Sequence, residues 1–246
     1  DLVRSRGLGD VYKRQPFTFS FQQVGTGCGL IGHRAAVEVD GSAYWMSENG
    51  FFRYTGKLES LACLVEDYVY DDINTVPKNH IYAGLNNLFG EVTWFYPGSG
   101  AASNNRSVTY NYMDSTAERP IWTTSSLARS SWSDSHIFGK PHGTEYDSDA
   151  TSDATVGNTD GVTVYYEHET GTNQIKAGAT TAITASIQSG DFDLDQRGLA
   201  GDGEFMMKIR RVIPDFLSQT GASRVTLNLK NYPTDTEASS SLGPFS

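Results

Sequence analysis

An all-β fold is what this sequence predicts, and three observations carry the prediction. Short apolar and aromatic runs are punctuated by Asp-Gly and Asn-Gly, the dipeptides that supply the positive backbone dihedrals of tight hairpin turns. Aromatic residues make up 12% of the 246 positions and gather in those runs, while Gly, Ser, Thr, Asn and Asp fill the gaps between them. From Thr181 onward, apolar residues alternate with polar ones at a period of two, the spacing of a strand with one covered face.

The first unit is a meander. Ala35 to Val39, Ala43 to Met46 and Phe51 to Tyr54 read as strands, separated by Asp40-Gly41 and by Glu48-Asn49-Gly50. Strand logic weakens over Leu58 to Asn74, where Val65, Tyr68, Val69 and Ile73 approach helical spacing between acidic residues, so one short helix is expected near 64–73. Ile81 to Asn86 and Glu91 to Tyr96 form a second hairpin across Asn87 to Gly90, with Trp94 and Tyr96 on one face and Phe95 on the other. After a polar loop over Gly98 to Asn105, Ser107 to Tyr112 and Ile121 to Thr124 complete a four-stranded unit.

A third unit starts near Ser131-Trp132, passes through His136 to Tyr146 and ends in Val162 to Glu167. Its middle, Asp147 to Asp160, is too polar to bury apolar area and reads as a long exposed loop. Beyond it, Ile183, Ala185 and Ile187 share one face, as do Phe205, Met207 and Ile209, and then Val225, Leu227 and Leu229. Pro214 marks a strand end or edge, because proline cannot donate to the ladder. Recurring four-stranded meanders suggest a propeller. The expected architecture is therefore a partial β-propeller of antiparallel meander blades over 16–170, followed by an antiparallel β region over 171–246. A further strand begins at Gly243-Pro244-Phe245, so a truncated C-terminus is expected.

Asp1 to Gln15, DLVRSRGLGDVYKRQ, resembles a translated sequencing-adapter read-through and is set apart from the fold, the alternative being a flexible basic arm. Its four basic and two acidic side chains removed, the formal charge moves from −10 to −12. An acidic surface of this strength repels nucleic acid at long range, which argues against stable DNA binding and suits a conduit through which DNA slides. No stretch approaches the roughly 20 apolar residues of a membrane-spanning helix, and the first residues lack the apolar segment of a secretory signal.

Candidate chemistry is sparse. Asp191, Asp193 and Asp195, followed by Gly198, offer alternating carboxylates for a calcium ion, but Gln196 and Asp202 stand where an EF-hand loop needs Gly and Glu; alternation also fits the solvent face of a strand carrying Phe192 and Leu194 inward. Glu167, His168 and Glu169 put an imidazole between two acids, yet Thr172 stands where a zinc-protease helix needs its second His. A hairpin-end His beside solvated acids is the expected reading. His33, His80, His136 and His142 are scattered. Cys28 and Cys63 lack metal-ligand spacing and are expected as small buried groups, a disulfide being the alternative. Lys208, Arg210 and Arg211 form a basic cluster, with Lys208 and Arg210 expected on one strand face toward solvent or a partner. No nucleophile elbow and no phosphate-cradling loop occurs. Catalytic, cofactor and metal residues are accordingly assigned to no position, and no enzyme activity is expected.

Several stretches in order resemble one family of bacteriophage virion proteins: Val39-Asp40-Gly41 to Tyr54; Glu91 to Tyr96 with Trp94-Phe95-Tyr96; Ser107 to Tyr112 leading to Trp122; Tyr166-Glu167-His168-Glu169-Thr170-Gly171; Ile187 to Asp195; and Arg210-Arg211-Val212-Ile213-Pro214-Asp215. From about Gly25 to Pro233 the chain is similar to the packaged-DNA stabilisation and tail-nozzle proteins of short-tailed phages. The resemblance implies a propeller-based structural protein of the virion, assembled in the host cytoplasm as a homo-oligomeric ring. It would sit among tail and portal proteins, retaining and conducting the genome without sequence-specific contact. The alternative is a glycan-binding or glycan-cleaving receptor-binding propeller, motivated by the aromatic content and the acidic loops.

Overall fold

A computed structural model describes residues 23–135, 137–147, 162–176, 179–188, 208–213, 215, 222–231 and 240–245. The chain divides into two compact units, one ending at Ile183 and one starting at Thr184. Strands in antiparallel sheets dominate, with one short α-helix among the described residues.

The first sheet has the order β1 (Ala36–Val39), β2 (Ser42–Ser47), β3 (Gly50–Tyr54) and β4 (Leu58–Leu61). Asp40 and Gly41 take φ of 49° and 79°, the paired positive dihedrals that a two-residue hairpin requires. The next turn differs slightly from expectation: Ser47 pairs with Gly50, so Glu48-Asn49 is the loop and Gly50 opens β3. The expected meander is thus present with a fourth strand, β4, drawn from the segment where strand character weakens. Helix α1 (Glu66–Asp72) follows, inside the expected 64–73. It buries Val69, and the Tyr70 hydroxyl donates to Ser47 O at 2.6 Å while accepting from Gly50 N at 3.1 Å, which fastens the helix to the β2–β3 turn.

The second sheet runs β5 (Tyr82–Asn86), β6 (Glu91–Tyr96), β7 (Arg106–Asn111) and β8 (Trp122–Ser125). Its strand β6 is buried on both faces, as a sheet sandwiched between two neighbours must be. Toward the first sheet, Trp94 lies 5.0 Å from Phe51 between ring centroids and donates its indole N–H to Ala35 O at 3.0 Å. Trp122 stands 4.8 Å from both Phe51 and Tyr110. These rings, with Tyr44, Met46, Val69, Val92 and Val108, make the main core.

On the opposite face, Phe95 stacks on Tyr82 and meets Trp132 at 5.4 Å. Trp132 belongs to the third sheet, ordered β11 (Val162–Glu167), β10 (His142–Asp147), β9 (Ser131–Ser133). The split of Trp94 and Tyr96 from Phe95 is therefore as the alternation predicts. Across the three sheets, the leading strands are neighbours: Arg34, just before β1, bridges Tyr82 of β5 in parallel, and β5 lies beside β9.

Strands β12 (Asn173–Lys176) and β13 (Ala179–Ala182) form a hairpin that closes the first unit. In the second unit, β14 (Val225–Leu229) pairs with β15 (Ser240–Phe245). The expected strand through Ile183, Ala185 and Ile187 is not formed: residues 183–188 make no ladder and Ile187 is fully exposed. Alternation alone does not hold a strand that has no partner. Lys208 and Arg210 likewise lie outside any strand, so they do not share a strand face. Phe205, Met207, Pro214, the loop 148–160 and Asp191, Asp193 and Asp195 fall outside the described residues.

Candidate functional site

The three consecutive residues Glu167, His168 and Glu169 end β11 and point to three different places. Glu167 sits opposite His142 in the β10–β11 register and approaches Lys140 Nζ at 3.6 Å. Glu169, held at φ 55°, reaches back to the second sheet, where Asn86 Nδ2 donates to its Oε1 at 3.2 Å. His168 turns inward. Its ring packs 4.5 Å from Trp132, and its Nε2 accepts from Arg129 Nε at 3.0 Å. The acids are exposed as expected, but the imidazole is half-buried against the sheet, which corrects the solvated hairpin-end reading.

Arg129 is the centre of this arrangement. Its side chain is only 5% exposed, yet it carries a permanent charge. Four contacts hold it: the Nε–H bond to His168, NH1 donating to Ala128 O, the Glu145 carboxylate at 3.5 Å, and the Tyr166 ring 4.0 Å beneath the guanidinium carbon. Gly143 of β10 makes the room, since a Cβ there would stand 2.9 Å from Arg129 Cδ. Asn104 closes the top by donating to Arg129 O at 3.2 Å and to His80 O at 2.8 Å.

The electrostatics follow from burial. Desolvation, reinforced by the Arg129 charge and by His142, pushes the His168 pKa down to about 4. The ring is neutral at pH 7, and because Nε2 accepts from arginine its proton sits on Nδ1. Burial also raises the Tyr82 hydroxyl well above the usual tyrosine range, against the pull of Arg129. Arginine, neutral imidazole, a paired carboxylate and phenols form a sealed polar seam between the second and third sheets. Arg129 commits its Nε–H to His168 and an NH1 bond to Ala128 O inside the seam, which ties the two sheets together.

A more accessible feature lies on the other face of the third sheet. Phe138 meets His142 edge-on at 4.7 Å, and His142 stacks on Tyr165 at 5.3 Å with the tyrosine hydroxyl bonded to Nδ1. Phe138 and Tyr165 are 61% and 63% exposed, which makes an aromatic platform flanked by Glu167, Lys140 and Thr170. A shallow recess of about 380 Å³ lies elsewhere, between Ile31, Glu48, Asn49, Tyr70, Thr75 and Lys78. It holds one acid, ion-paired to Lys78 at 3.3 Å, and so lacks the two carboxyls of a glycosidase.

Of the remaining candidates, Cys28 and Cys63 are free and half-buried, and burial raises the Cys63 thiol to about 12, so it is inert as a nucleophile. His33 accepts from Arg34, and His80 bonds Ala102 O at 2.9 Å. His136 lies outside the described residues, and among the described ones no set of three or more His, Cys, Asp or Glu side chains converges as a metal cage. Arg129, Glu145 and Asn86 were not marked by sequence reasoning; each is an isolated polar residue in its own segment. No family model matches the sequence, and no curated protein matches it either.

Proposed function

We propose that this chain is a non-enzymatic structural component of a phage tail, a nozzle or head-completion protein built from propeller blades. The observation that carries the reading is the ordered sequence resemblance from about Gly25 to Pro233; three of its six quoted segments cover β2–β3, β6 and β7 up to the start of β8, and a fourth begins in the last two residues of β11. The sheet order supports it. Two four-stranded meanders and a three-stranded sheet, with their leading strands β1, β5 and β9 side by side, fit a reading as consecutive blades. An acidic balance of −10 fits a surface past which DNA moves without adhering. In this reading the protein assembles in the host cytoplasm into a homo-oligomeric ring between portal and tail proteins. Imaging of purified virions tests it: ring density below the portal into which these sheets fit supports the assignment, and absence of the full-length protein from the particles removes it.

A second reading, a glycan-binding tail protein, draws on the exposed platform of Phe138, His142 and Tyr165, because flat aromatic faces stack on sugar rings. A glycan array separates the two. Binding that disappears in Tyr165→Ala favours the receptor role, and a blank array removes it.

A further inference from the structure

Asn49-Gly50 is the single Asn-Gly pair in the chain, and it lies at the β2–β3 turn with Asn49 exposed. An asparagine followed by glycine is prone to lose its side-chain amide, because no Cβ on the second residue obstructs the backbone nitrogen that attacks it. Asn49 also lines the shallow recess beside Thr75 and Lys78, which gives water access to its side chain. Gly50 is buried at φ 124°, and its N–H donates to the Tyr70 hydroxyl at 3.1 Å. That hydroxyl commits its own proton to Ser47 O at 2.6 Å. Burial raises the Tyr70 phenol above the usual tyrosine range, so it stays protonated and cannot serve as a base toward the Gly50 amide. An exposed electrophile and a fastened nucleophile are thus adjacent residues of one turn.

We propose that Asn49 is a site of spontaneous deamidation to aspartate and isoaspartate, and that the Tyr70 hydroxyl restrains the reaction by holding the Gly50 N–H. The Gly50 nitrogen attacks Asn49 Cγ, so an N–Cγ bond forms and the Cγ–Nδ2 bond breaks; the Gly50 proton leaves with the amide group as ammonia. Water then opens the five-membered imide at either carbonyl, giving aspartate or isoaspartate. To attack, the nitrogen must leave the Tyr70 oxygen, and the lost hydrogen bond adds to the barrier. Either product places a new carboxylate beside Glu48 and near Glu66, whose Oε1 lies 3.4 Å from the position a Gly50 Cβ would take. Isoaspartate also routes the main chain through the former side chain, which lengthens a two-residue loop and disturbs the Ser47–Gly50 pairing. That pairing supplies both backbone groups that Tyr70 grips, so the modification loosens helix α1 from the first sheet as the protein ages.

The test is timed incubation of the whole chain at neutral pH, followed by peptide mapping that separates asparagine, aspartate and isoaspartate at position 49. Four samples are compared: the folded chain, the same chain unfolded in urea, Tyr70→Phe and Gly84→Ala. The expected result is conversion in every sample, slower in the folded chain than in urea and roughly threefold to tenfold faster in folded Tyr70→Phe, the factor set by one neutral hydrogen bond. Tyr70→Phe keeps its ring on Phe51 and so retains the packing of the helix. Gly84→Ala strains a different place, the contact of β5 with Trp132, and should leave the Asn49 rate unchanged. Equal rates in folded and urea-unfolded chain overturn the proposal without reference to any variant. It also fails if Asn49 keeps its amide throughout, if Tyr70→Phe converts no faster than the unsubstituted chain, or if Gly84→Ala accelerates conversion as much as Tyr70→Phe, which would trace the reaction to global unfolding.

Discussion

Arg129 donates its Nε–H to Nε2 of His168 at 3.0 Å, so a cation that never loses its charge rests on an imidazole that must stay neutral. The pair makes the join between the second and third sheets sensitive to pH. His168 has its folded pKa lowered to about 4 from an unfolded value of 6.5. Above 6.5 neither state binds the proton and the full contribution is present. As pH falls from 6.5 to 4 the unfolded chain takes up a proton that the folded chain refuses, so stability declines, and below 4 it levels off. Allowing for solvent screening of a ring that is partly open, the loss is about 1–2 kcal/mol. Glu91 acts in the opposite sense, because its raised carboxyl pKa favours the fold at low pH. Urea unfolding at pH 7 and pH 4.5 isolates the histidine when compared with His168→Gln, which retains an acceptor and does not titrate; an equal decline in both proteins rejects the assignment.

Arg129→Ala removes the guanidinium paired with Glu145 and opens space over the Tyr166 ring. Removing one partner of a buried pair costs about 3–5 kcal/mol, and that is the expected loss in denaturant midpoint converted through an unchanged slope. Arg129→Lys should recover less than half, because an ammonium cannot bond His168 and Glu145 in one plane while lying flat on the tyrosine. Full recovery by lysine would mean that charge alone matters here.

How much of this was legible in the sequence depends on range. Asp40-Gly41 and the Asn87–Gly90 turn are local chemistry, and they set both hairpins; the aromatic alternation of Trp94, Phe95 and Tyr96 then assigned each ring to its sheet. Helix α1 was readable from Val65, Val69 and Ile73, but β4 was not, since Leu58–Leu61 is too short to show a period. The polar seam was invisible for a different reason. Its bonds join residues 39 positions apart in Arg129–His168 and 83 apart in Asn86–Glu169, and nothing local marks either end. Ile183–Ile187 misled in the reverse direction, having strand alternation and no pairing strand among the described residues.

Tyr70 ties helix α1 to the first sheet through one oxygen, which donates to Ser47 O and accepts from Gly50 N. Tyr70→Phe keeps the ring against Phe51 and leaves both backbone groups short of a partner. The expected cost is about 1–2 kcal/mol. Amide hydrogen exchange locates it, with faster exchange at Gly50 and little change in the second sheet; uniform acceleration everywhere would show that the hydroxyl does not act locally.

Gly84 tests whether the second and third sheets pack as closely as Trp132 implies. A Cβ at this position of β5 would lie 2.7 Å from Trp132 Cδ1 and 3.2 Å from Phe95 Cε2, two rings already in contact with each other. Neither ring can retreat freely, because the Trp132 indole is held by Leu85 O and Phe95 is stacked on Tyr82. Gly84→Ala should therefore destabilise by about 1–3 kcal/mol through overpacking, although alanine favours neither a turn nor a bulge here. Gly29→Ala is the matched control, since nothing stands within 4 Å of its added methyl and the loss of unfolded-chain freedom should leave stability level or slightly higher. Thermal unfolding of the two variants in one buffer decides the matter. A normal melting temperature in Gly84→Ala would mean that the third sheet stands away from the second, and with it the stacking of successive sheets on which the blade reading relies would fall.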